Sequence, residues 1–396
     1  MEIEIHDSLQ EISPVQWDQL NFDRSIFLDY NHLKAVSNPE IADVKYYFSI
    51  FKNNNEPVGI AVFQIGILEA TNLQQRAGQN FISDLISKQF LDNKKAQFIL
   101  ICGSAFATGE HGYAFRKDVP LQKSMNALCE ALTKVLKTEE KAGRNIAALL
   151  IKDFYENSFD QATAMEKCGF RSFDVDHNME MPILEEWQSF EDYLQSLNSK
   201  FRTKSNAAYK KSAELKMQFL DVEDIRKHQV RIQELYDNVH EKADFKIGHI
   251  NATSLIAMKN ELASRMIIRG YFLEENLVGF SIALDSEKQL EAFIVGIDYS
   301  KNGSHAIYSR MLYDYVHTAI DLKKSKIVFG RTAGEIKSTV GAFPIQLKCC
   351  IRHPGKLPNV LLKIIFCYVE PSSFPTRNPY KETTFQKIQT LGYSYS

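Results

Sequence analysis

The sequence predicts an α/β protein of two tandem units, each with a mixed, mostly antiparallel sheet flanked by helices. Two β-hairpin patterns support this prediction: β-rich runs separated by the turn-forming NNNEP within 45–68, and a second pair that turns at EEN within 266–286. After each hairpin come a strand, a polar loop with glycine, a long helix and another strand. This repeated order indicates one α/β unit present twice, and 396 residues suffice for roughly two or three domains.

The first half begins with a short strand in EIEI and a helix near Pro14, where proline suits the first turn. An apolar strand ends at Gly103, and apolar residues at helical spacing predict a long helix over 119–142. AALLIKDF is then predicted as a buried strand, SFDQATAMEKCGF as a helix that stops at Gly169, and FRSFDVDHNMEMPI as a hairpin or a pair of strands.

In the second half, LEAFIVGI is predicted as a strand, and DYSKNGSHAIYSRMLYDYVHTAIDLKK as a polar glycine loop leading into a helix of about twenty residues. KIVFG and IQLKCCIR are the next strands. We therefore expect an N-terminal domain over 1–184, a C-terminal domain over 185–355 with a basic helical segment at 198–217, and an extension over 356–396. The extension is polar and turn-prone, and we expect it to be partly mobile or to lie over a domain.

The composition limits the classes of function. Forty-seven basic and forty-nine acidic side chains give a formal net charge of -2, so no global field favours DNA or an anionic membrane. No run reaches the roughly 18 apolar residues of a membrane span, and the N-terminus has no signal-peptide pattern, so we expect a cytoplasmic protein. The six cysteines lack CxxC spacing, which favours reduced, buried thiols and argues against a metal site.

The segment 198–217 is the one strongly basic stretch of the sequence. It contains six lysine or arginine residues and Glu214 as its single acid. On a helix, Lys200, Lys204 and Lys211 form one stripe. A solvated helix face accounts for such a stripe, and so does a binding site for a phosphorylated ligand, so the sequence leaves both interpretations open.

The loop after LEAFIVGI is a candidate anion site. Gly303 in this loop, with Ser304 and His305 at the start of the following helix, would direct free backbone amides towards a pyrophosphate. The loop has one glycine and no Walker lysine, so an ordinary capped helix is an equally good interpretation.

The stretch GRTAGEIKSTVGAFP (330–344) follows a predicted strand and carries Glu335 and Lys337. On a short helix these side chains point about 200° apart, so they must have different roles. Lys337 is suited to neutralise a phosphate or a charged leaving group, whereas Glu335 suits the start of a helix. A surface helix without a ligand is the alternative.

Four segments, SLNSKFRTKSNAAYKKS, VGFSIALDSEKQLEAFIVGIDYS, YSRMLYDYVHTAI and FGRTAGEIKSTVGAFP, resemble GNAT-fold N-acyltransferases. The branch in question is bacterial and includes the Fem-type peptidoglycan aminoacyltransferases and the peptidogalycan-biosynthesis acetyltransferase domains. The resemblance covers most of 185–355 and, in organisation, the first half. It implies two GNAT-like domains. It also implies that Lys337, between Gly334-Glu335 and the Gly341-x-Phe343 step, contacts a substrate phosphate.

The resemblance further implies acyl transfer to an amine. This reaction needs a base for the ammonium proton, donors for the oxyanion and an acid for the leaving group. Glu291 on LEAFIVGI is the candidate base and Tyr308 or Tyr313 the candidate acid, with His305 and Asp298 as further candidates. The usual Q/R-x-x-G-x-G/A coenzyme A loop is absent, as it is in the Fem-type branch.

The expected function is N-acyl transfer from an acyl-coenzyme A or a charged tRNA to an amine, such as a cell-envelope precursor, an amino sugar or a small metabolite, without a tightly bound cofactor. The alternative is a non-catalytic GNAT-like protein that binds a phosphorylated ligand. An RNA-binding module has little support, because no aromatic-basic string is present. The expected catalytic residues are Glu291, Lys337 and Tyr308, and the expected donor-binding residues are Gly303, Ser304, His305, Lys204 and Lys211.

Overall fold

The computed structural model describes residues 1–38, 44–67, 98–242, 248–356, 359 and 371–395. Its strands are, in chain order, β1 (Glu2–His6), β2 (Lys45–Asn53), β3 (Glu56–Ile67), β4 (Phe98–Cys102), β5 (Tyr113–Phe115), β6 (Ile146–Tyr155), β7 (Arg171–Pro182), β8 (Leu215–Phe219), β9 (Met266–Leu273), β10 (Asn276–Asp285), β11 (Gln289–Ile297), β12 (Lys326–Gly330) and β13 (Phe343–Arg352).

The helices alternate with these strands. They are α1 (Pro14–Leu20), α2 (Tyr30–Val36), α3 (Leu121–Lys141), α4 (Phe159–Glu166), α5 (Phe190–Ser196), α6 (Ser199–Lys211), α7 (Val222–Lys227), α8 (Gln229–His240), α9 (Ala252–Leu262), α10 (Tyr299–His305), α11 (Ile307–Asp321), α12 (Gly334–Thr339) and α13 (Glu382–Thr390). None of the helices in the described residues is long and apolar enough to cross a membrane.

The chain forms two compact units. Unit 1 consists of Met1–Asp176, Asp244–Ile250 and Gln346–Pro371, and unit 2 of His177–Ala243, Asn251–Ile345 and Ser372–Ser396. In unit 1 the strand order is β1-β2-β3-β4-β6-β13, with β5 beside β3. Its one parallel pair among the described strands is β4 with β6.

Unit 2 repeats this arrangement. Its strand order is β8-β9-β10-β11-β12-β7, and β11 with β12 is the parallel pair, in the same place as β4 with β6. The other described pairings within the unit are antiparallel. The predicted duplication and the predicted fold class, two tandem units with mixed and mostly antiparallel sheets, are therefore confirmed.

The two units exchange a strand. β7 runs from the end of unit 1 into unit 2, where it pairs with β12, and β13 runs from unit 2 back into unit 1, where it pairs with β6. The compact units consequently divide the chain after Asp176 and Ile345, whereas the sequence predicts domains of 1–184 and 185–355. Domain boundaries placed in sequence order, one after each closing strand, do not reproduce this exchange.

Each unit has its own apolar core under a long helix. In unit 1, Leu128 and Leu132 of α3 pack with Leu100 and Leu149 of the parallel pair. This buried face explains the helical spacing of apolar residues that the sequence shows in α3. In unit 2, α11 contributes Leu312, Val316 and Ala319, which pack in the same cluster as Leu290 and Ile327 of the parallel pair. Burial of these side chains supplies most of the driving force for each fold.

Two local expectations were wrong. The segment FRSFDVDHNMEMPI forms one strand, β7, because its second half pairs with β12 rather than turning back. The expected glycine loop after β11 forms the short helix α10, because Asp298 caps it by accepting a hydrogen bond from Ser300 N at 3.0 Å. The extension agrees with one of its two expected arrangements, because from Ser372 onward its described part packs in unit 2 through Tyr380 and Ile388, both almost fully buried.

Candidate active site

The parallel pair of unit 2 opens after three rungs. The last rung pairs Glu291 of β11 with Val328 of β12. Beyond it, β12 continues against β7, with Gly330 opposite Met179, and β11 continues against β10 as far as Ile297. Ligands of open α/β sheets bind outside the carboxyl ends of parallel strands where neighbours part. The opening after Glu291 is therefore the candidate site.

The strand β11 carries signs of such a site. Phe293 is an extra residue in β11, because Ala292 pairs with Ala283 while Ile294 pairs with Ile282. Bulges of this kind are enriched beside active sites, where they redirect side chains. Ala292, Phe293 and Val295 are only half-buried although β11 lies inside the sheet. These exposed positions on a central strand mark a surface that a ligand can contact.

In unit 1 the corresponding opening is filled by the chain itself. β4 ends at Cys102, and the loop that follows crosses the end of β6. Lys152 donates from Nζ to the carbonyl oxygens of Ser104 and Ala107 at 2.6 and 3.1 Å. Gly109 N donates to Asp153 Oδ2 at 3.1 Å. We therefore place the candidate site in unit 2.

Glu291 is a buried acid at the mouth of the opening. Its side chain is 4% exposed, and Gln289 Nε2 donates to Oε1 at 2.5 Å. Burial, aided by the nearby Glu180 carboxylate, raises the pKa of Glu291 to about 8, while the Gln289 hydrogen bond and Lys326 oppose the shift. A carboxyl group titrating near neutral pH can take a proton and return it, so Glu291 has the chemistry of a general base.

Sequence reasoning missed the polar neighbours of Glu291. Glu180 lies on β7, opposite Val328, so Glu180 and Glu291 flank the same residue of β12. Glu180 accepts hydrogen bonds from Lys326 Nζ at 2.7 Å and Asn178 Nδ2 at 3.1 Å. The available signal was the alternation of polar and apolar residues in Asn178-Met179-Glu180-Met181, which places both polar side chains on one face of a strand.

Lys337 lies at the other arm of the opening. It belongs to α12, is 4% exposed, and donates from Nζ to the carbonyl oxygens of Phe329 and Gly330 at 2.7 and 3.2 Å. These two carbonyls belong to the residues of β12 that come directly after Val328, the last residue that pairs with β11. No carboxylate within the described part of the chain pairs with Lys337, and burial lowers its pKa to about 7. An ammonium group has three donors, so one remains for a ligand.

Glu335 and Lys337 lie on different sides of α12, as their spacing predicts. Glu335 is exposed and accepts a hydrogen bond from Arg377 Nη2 at 2.8 Å. The C-terminal residues also cover the glycines of this motif: a Cβ at Gly334 would meet Phe374 at 2.2 Å, and one at Gly341 would meet Tyr380 Oη at 2.0 Å. Close contact with these aromatic rings is the physical reason for glycine at both positions.

Of the candidate tyrosines, Tyr308 packs beside β11, the strand that carries Glu291. It lies in the first turn of α11 and packs, like Val295, against the cluster that contains Ile297 and Ile307. Its packing raises the pKa of the hydroxyl through burial, so that group stays protonated at neutral pH. Tyr313 instead belongs to the core, with its ring 6.1 Å from that of Tyr209.

The expected donor-binding loop has a different structure. Gly303, Ser304 and His305 lie in α10, and a Cβ at Gly303 would meet no atom within 4 Å. Ser304 Oγ hydrogen-bonds to His305 Nδ1 at 2.8 Å. At the start of α11, Asn302 Oδ1 accepts from Tyr308 N at 2.9 Å. The Asn302 side chain therefore already binds one of the backbone amides that a pyrophosphate would use. Gly303 lies within a helix, so it is not needed for a turn.

Two further candidates have structural partners. Asp298 caps α10 and accepts a hydrogen bond from Arg231 Nη2 at 2.6 Å, and His305 Nε2 lies 3.5 Å from Glu214. These contacts hold the segment around α10 in place. Neither side chain adjoins β12, so neither belongs to the arrangement of Glu291 and Lys337.

The basic segment forms the predicted helix, α6. Its buried face consists of Phe201, Ser205 and Ala208, and the lysines point to solvent. Lys204 Nζ lies over the Phe201 ring at 5.3 Å from its centroid. The helix thus presents Lys204 and Lys211 on its exposed side, without carboxylate partners in the described residues.

The structure therefore places both Glu291 and Lys337 beside the strand β12. Glu291 pairs with Val328, and Lys337 bonds to the carbonyl of Phe329, the next residue along β12. A strand spacing of about 4.8 Å and a rise of about 3.3 Å per residue put the backbone of Glu291 roughly 6 Å from that of Phe329, whose carbonyl binds Lys337.

Comparison with solved structures identifies the fold. A tandem GNAT protein from the clavulanic acid biosynthesis pathway superposes with a TM-score of 0.54 and 7% identity, covering 89% of this chain and 99% of that one. FemX superposes with a TM-score of 0.50 and 11% identity, covering 92% and 100%. No family model matches the sequence, and no curated protein does. The chain has the tandem GNAT fold, which confirms the expected resemblance to the Fem-like GNAT fold.

Proposed function

We propose that this protein is an N-acyltransferase that moves an acyl or aminoacyl group to an amine at the opening between β11 and β12 of unit 2. The observation that carries the proposal is the position of Glu291. It is a buried carboxyl group on the last rung before the parallel strands part, in a fold shared with a tandem GNAT protein and FemX. An acyl-coenzyme A is the proposed donor, with a charged tRNA as the other candidate.

Glu291 is the proposed general base. An amine acceptor enters as an ammonium ion and must lose a proton before it attacks the donor carbonyl. With a pKa of about 8, Glu291 is a strong enough base to take this proton and is partly ionised at neutral pH. Lys326 and Gln289 support the ionised form, since both oppose the rise in the pKa.

Lys337 is the proposed electrostatic partner. Its ammonium group is fixed by two backbone carbonyls, and its third donor can hold either the developing oxyanion or a phosphate of the substrate. Because the group is held in place before the reaction, little reorganisation accompanies charge development. Tyr308 is the proposed acid for the leaving thiolate or hydroxyl, from the first turn of α11.

The lysines of α6 are the proposed contact for the phosphates of the donor. Lys204 and Lys211 are exposed cations on one helix, and coenzyme A and tRNA both carry several phosphates. Gly303, Ser304 and His305 contribute through the position of α10 rather than through a glycine loop. The same lysines favour the second candidate function, a non-catalytic protein that binds a phosphorylated ligand.

Thermal denaturation with acetyl-coenzyme A, longer acyl-coenzyme A thioesters and free coenzyme A tests the donor. A ligand at 100 times its dissociation constant stabilises the folded state by about 2.7 kcal/mol, which raises the melting temperature by several degrees. We expect such a rise with at least one thioester. If none of the three raises the melting temperature, acyl-coenzyme A is not the donor.

Charge reversal on α6 tests the phosphate contact. We expect Lys204→Glu with Lys211→Glu to weaken coenzyme A binding roughly tenfold and to reduce its dependence on salt. Lys137→Glu, at an exposed position of α3 in unit 1, is the matched control and should change neither. Binding without release of coenzyme A in the presence of amines would favour the non-catalytic function.

A further inference from the structure

Two half-buried thiols of unit 1 share one guanidinium group. Cys129 is on α3, and Cys168 follows α4 in the turn that leads to β7. Arg352 Nη1 donates to Cys129 Sγ at 3.5 Å and to the carbonyl oxygen of Cys168 at 3.1 Å. One nitrogen therefore contacts both cysteines. The side chain of Cys129 also interacts with that of Cys168.

The position of Arg352 is fixed by contacts on three elements. It extends from β13, its Nη2 donates to Thr133 Oγ1 of α3 at 3.0 Å, and its guanidinium carbon lies 4.9 Å from the centroid of the Phe170 ring. A guanidinium held this way cannot swing away from the sulfur. A fixed cation beside a thiol stabilises the thiolate, which is the reactive form.

The contacts give the two sulfurs different roles. Cys129 Sγ accepts a hydrogen bond from the guanidinium, so Cys129 is the sulfur that lies beside the fixed cation. Burial and the neighbouring Cys129 raise the pKa of Cys168 to about 12, so Cys168 keeps its proton. Cys168 Sγ lies 3.8 Å from Asn126 Oδ1, a second acceptor for that proton. The pair thus places one sulfur beside a fixed cation, where it is suited to attack, and a protonated second sulfur next to it, where it is suited to resolve the product.

We propose that Cys129 and Cys168 form a site of reversible oxidation, which closes to an intramolecular disulfide when the protein meets a hydroperoxide. The Cys129 thiolate attacks one peroxide oxygen, the O–O bond breaks, the other oxygen takes up a proton and leaves as water or an alcohol, and Cys129 becomes a sulfenic acid. The Cys168 sulfur then attacks the Cys129 sulfur, the S–O bond breaks and water leaves. The two thiols lose two electrons, which the hydroperoxide accepts, and a dithiol reductant reverses the reaction.

Neither step depends on the acyl transfer proposed for unit 2. The other described cysteines, Cys102, Cys349 and Cys350, are buried, so a peroxide in solution reaches Cys129 and Cys168 first. The new bond would tie α3 to the turn after α4 and close a loop of about 40 residues between them. It should therefore stabilise unit 1 without altering Glu291 or Lys337.

Peptide mapping of the full chain tests the site. The folded protein is treated with a small excess of hydrogen peroxide, alkylated and digested without reductant. We expect a Cys129–Cys168 cross-linked peptide as the first product, its loss on treatment with dithiothreitol, and a melting temperature raised by roughly 5 °C in the oxidised protein. A first product that is a sulfinic acid, or a disulfide between other cysteines, would overturn the proposal.

Three variants assign the roles. Cys168→Ser should stop at a sulfenic acid on Cys129 that dimedone labels, whereas Cys129→Ser should give no label on Cys168. Arg352→Met should slow the reaction roughly tenfold and Arg352→Lys should restore much of the rate. If Arg352→Met does not fold, the dimedone comparison alone decides, because labelling of both single variants at equal rates contradicts the assignment.

Discussion

At the scale of the residue, the proposed reaction depends on two side chains whose charges are unfavourable where they lie. Glu291 and Lys337 are both 4% exposed, and burial shifts both pKa values towards neutral pH. A protein selected for stability alone would place apolar side chains there, since a buried ionisable group costs free energy. These shifts are therefore typical of a functional site, and they also predict how stability varies with pH.

Glu291→Gln should remove a contribution that lowers the free energy of unfolding and depends on pH. Between pH 4.5 and about 8, folded Glu291 keeps its proton while the unfolded chain releases it. The wild-type free energy of unfolding therefore falls as pH rises through this range, and the fall is absent in Glu291→Gln. We expect the variant to gain on the order of a few kcal/mol over the wild type from pH 5 to 8, measured by urea denaturation. A constant difference would contradict the raised pKa.

Lys337→Met should show the opposite dependence. Between about pH 7 and 10.5 the unfolded chain holds a proton that folded Lys337 has lost, so wild-type stability rises with pH in this range. We expect Lys337→Met to be more stable than the wild type at pH 7 and to lose on the order of a few kcal/mol of that advantage by pH 10. Loss of stability in Lys337→Met at every pH would mean that the lysine acts mainly as a structural link between α12 and β12.

At the scale of the element, the site depends on how β12, α12 and the C-terminal residues fit together. Tyr193 Oη donates to the carbonyl of Val340 at 2.9 Å, and Tyr380 Oη donates to that of Gly341 at 3.0 Å. The rings of Phe343 and Tyr380 are stacked, with centroids 6.1 Å apart. These contacts fix the end of α12 and, through it, the position of Lys337.

Two glycine substitutions distinguish a glycine that close packing requires from one that only lowers the stability of its helix. Gly341 has a φ of +107° and no space for a Cβ, so Gly341→Ala should cost on the order of 1–3 kcal/mol of stability. Gly303 lies in α10 with open space around it, so Gly303→Ala should stabilise the protein by about 0.5–1 kcal/mol. Melting temperatures check both. Destabilisation by Gly303→Ala would show that the glycine is needed for a loop or a ligand.

Local patterns in the sequence predicted many of the elements. The hairpins, the helix of unit 1 and the basic helix α6 follow from periodicity, and the opposite orientations of Glu335 and Lys337 follow from their two-residue spacing. The contacts of Lys337 could not be predicted, because they are made with backbone carbonyls, which carry no sequence signal. Glu180 was missed because it reaches Glu291 only through the pairing of β7 with β12.

At the scale of the whole molecule, the chain is one α/β unit present twice, with a strand exchanged between the copies. The order of elements was enough to predict the duplication, because each unit repeats hairpin, strand, long helix and strand. The exchange was not predictable in the same way, since β7 and β13 look like ordinary closing strands in the sequence. It is a property of long-range pairing, which local patterns do not encode.

The duplication also gives the molecule two equivalent openings, of which one is filled. In unit 1 the loop after β4 crosses the opening and is held by Lys152 and Asp153. In unit 2, β11 continues past Glu291 with half-exposed residues. In the proposed function, the reaction takes place in unit 2. Mutations that remove activity without loss of stability should therefore cluster in unit 2.

The most direct test of the central claim is the release of coenzyme A from an acyl-coenzyme A, measured with a thiol reagent against a panel of amines. Release should require both the amine and Glu291, and it should fall at least about 100-fold in Glu291→Gln. Amine-dependent release at an unchanged rate in folded Glu291→Gln would contradict the account.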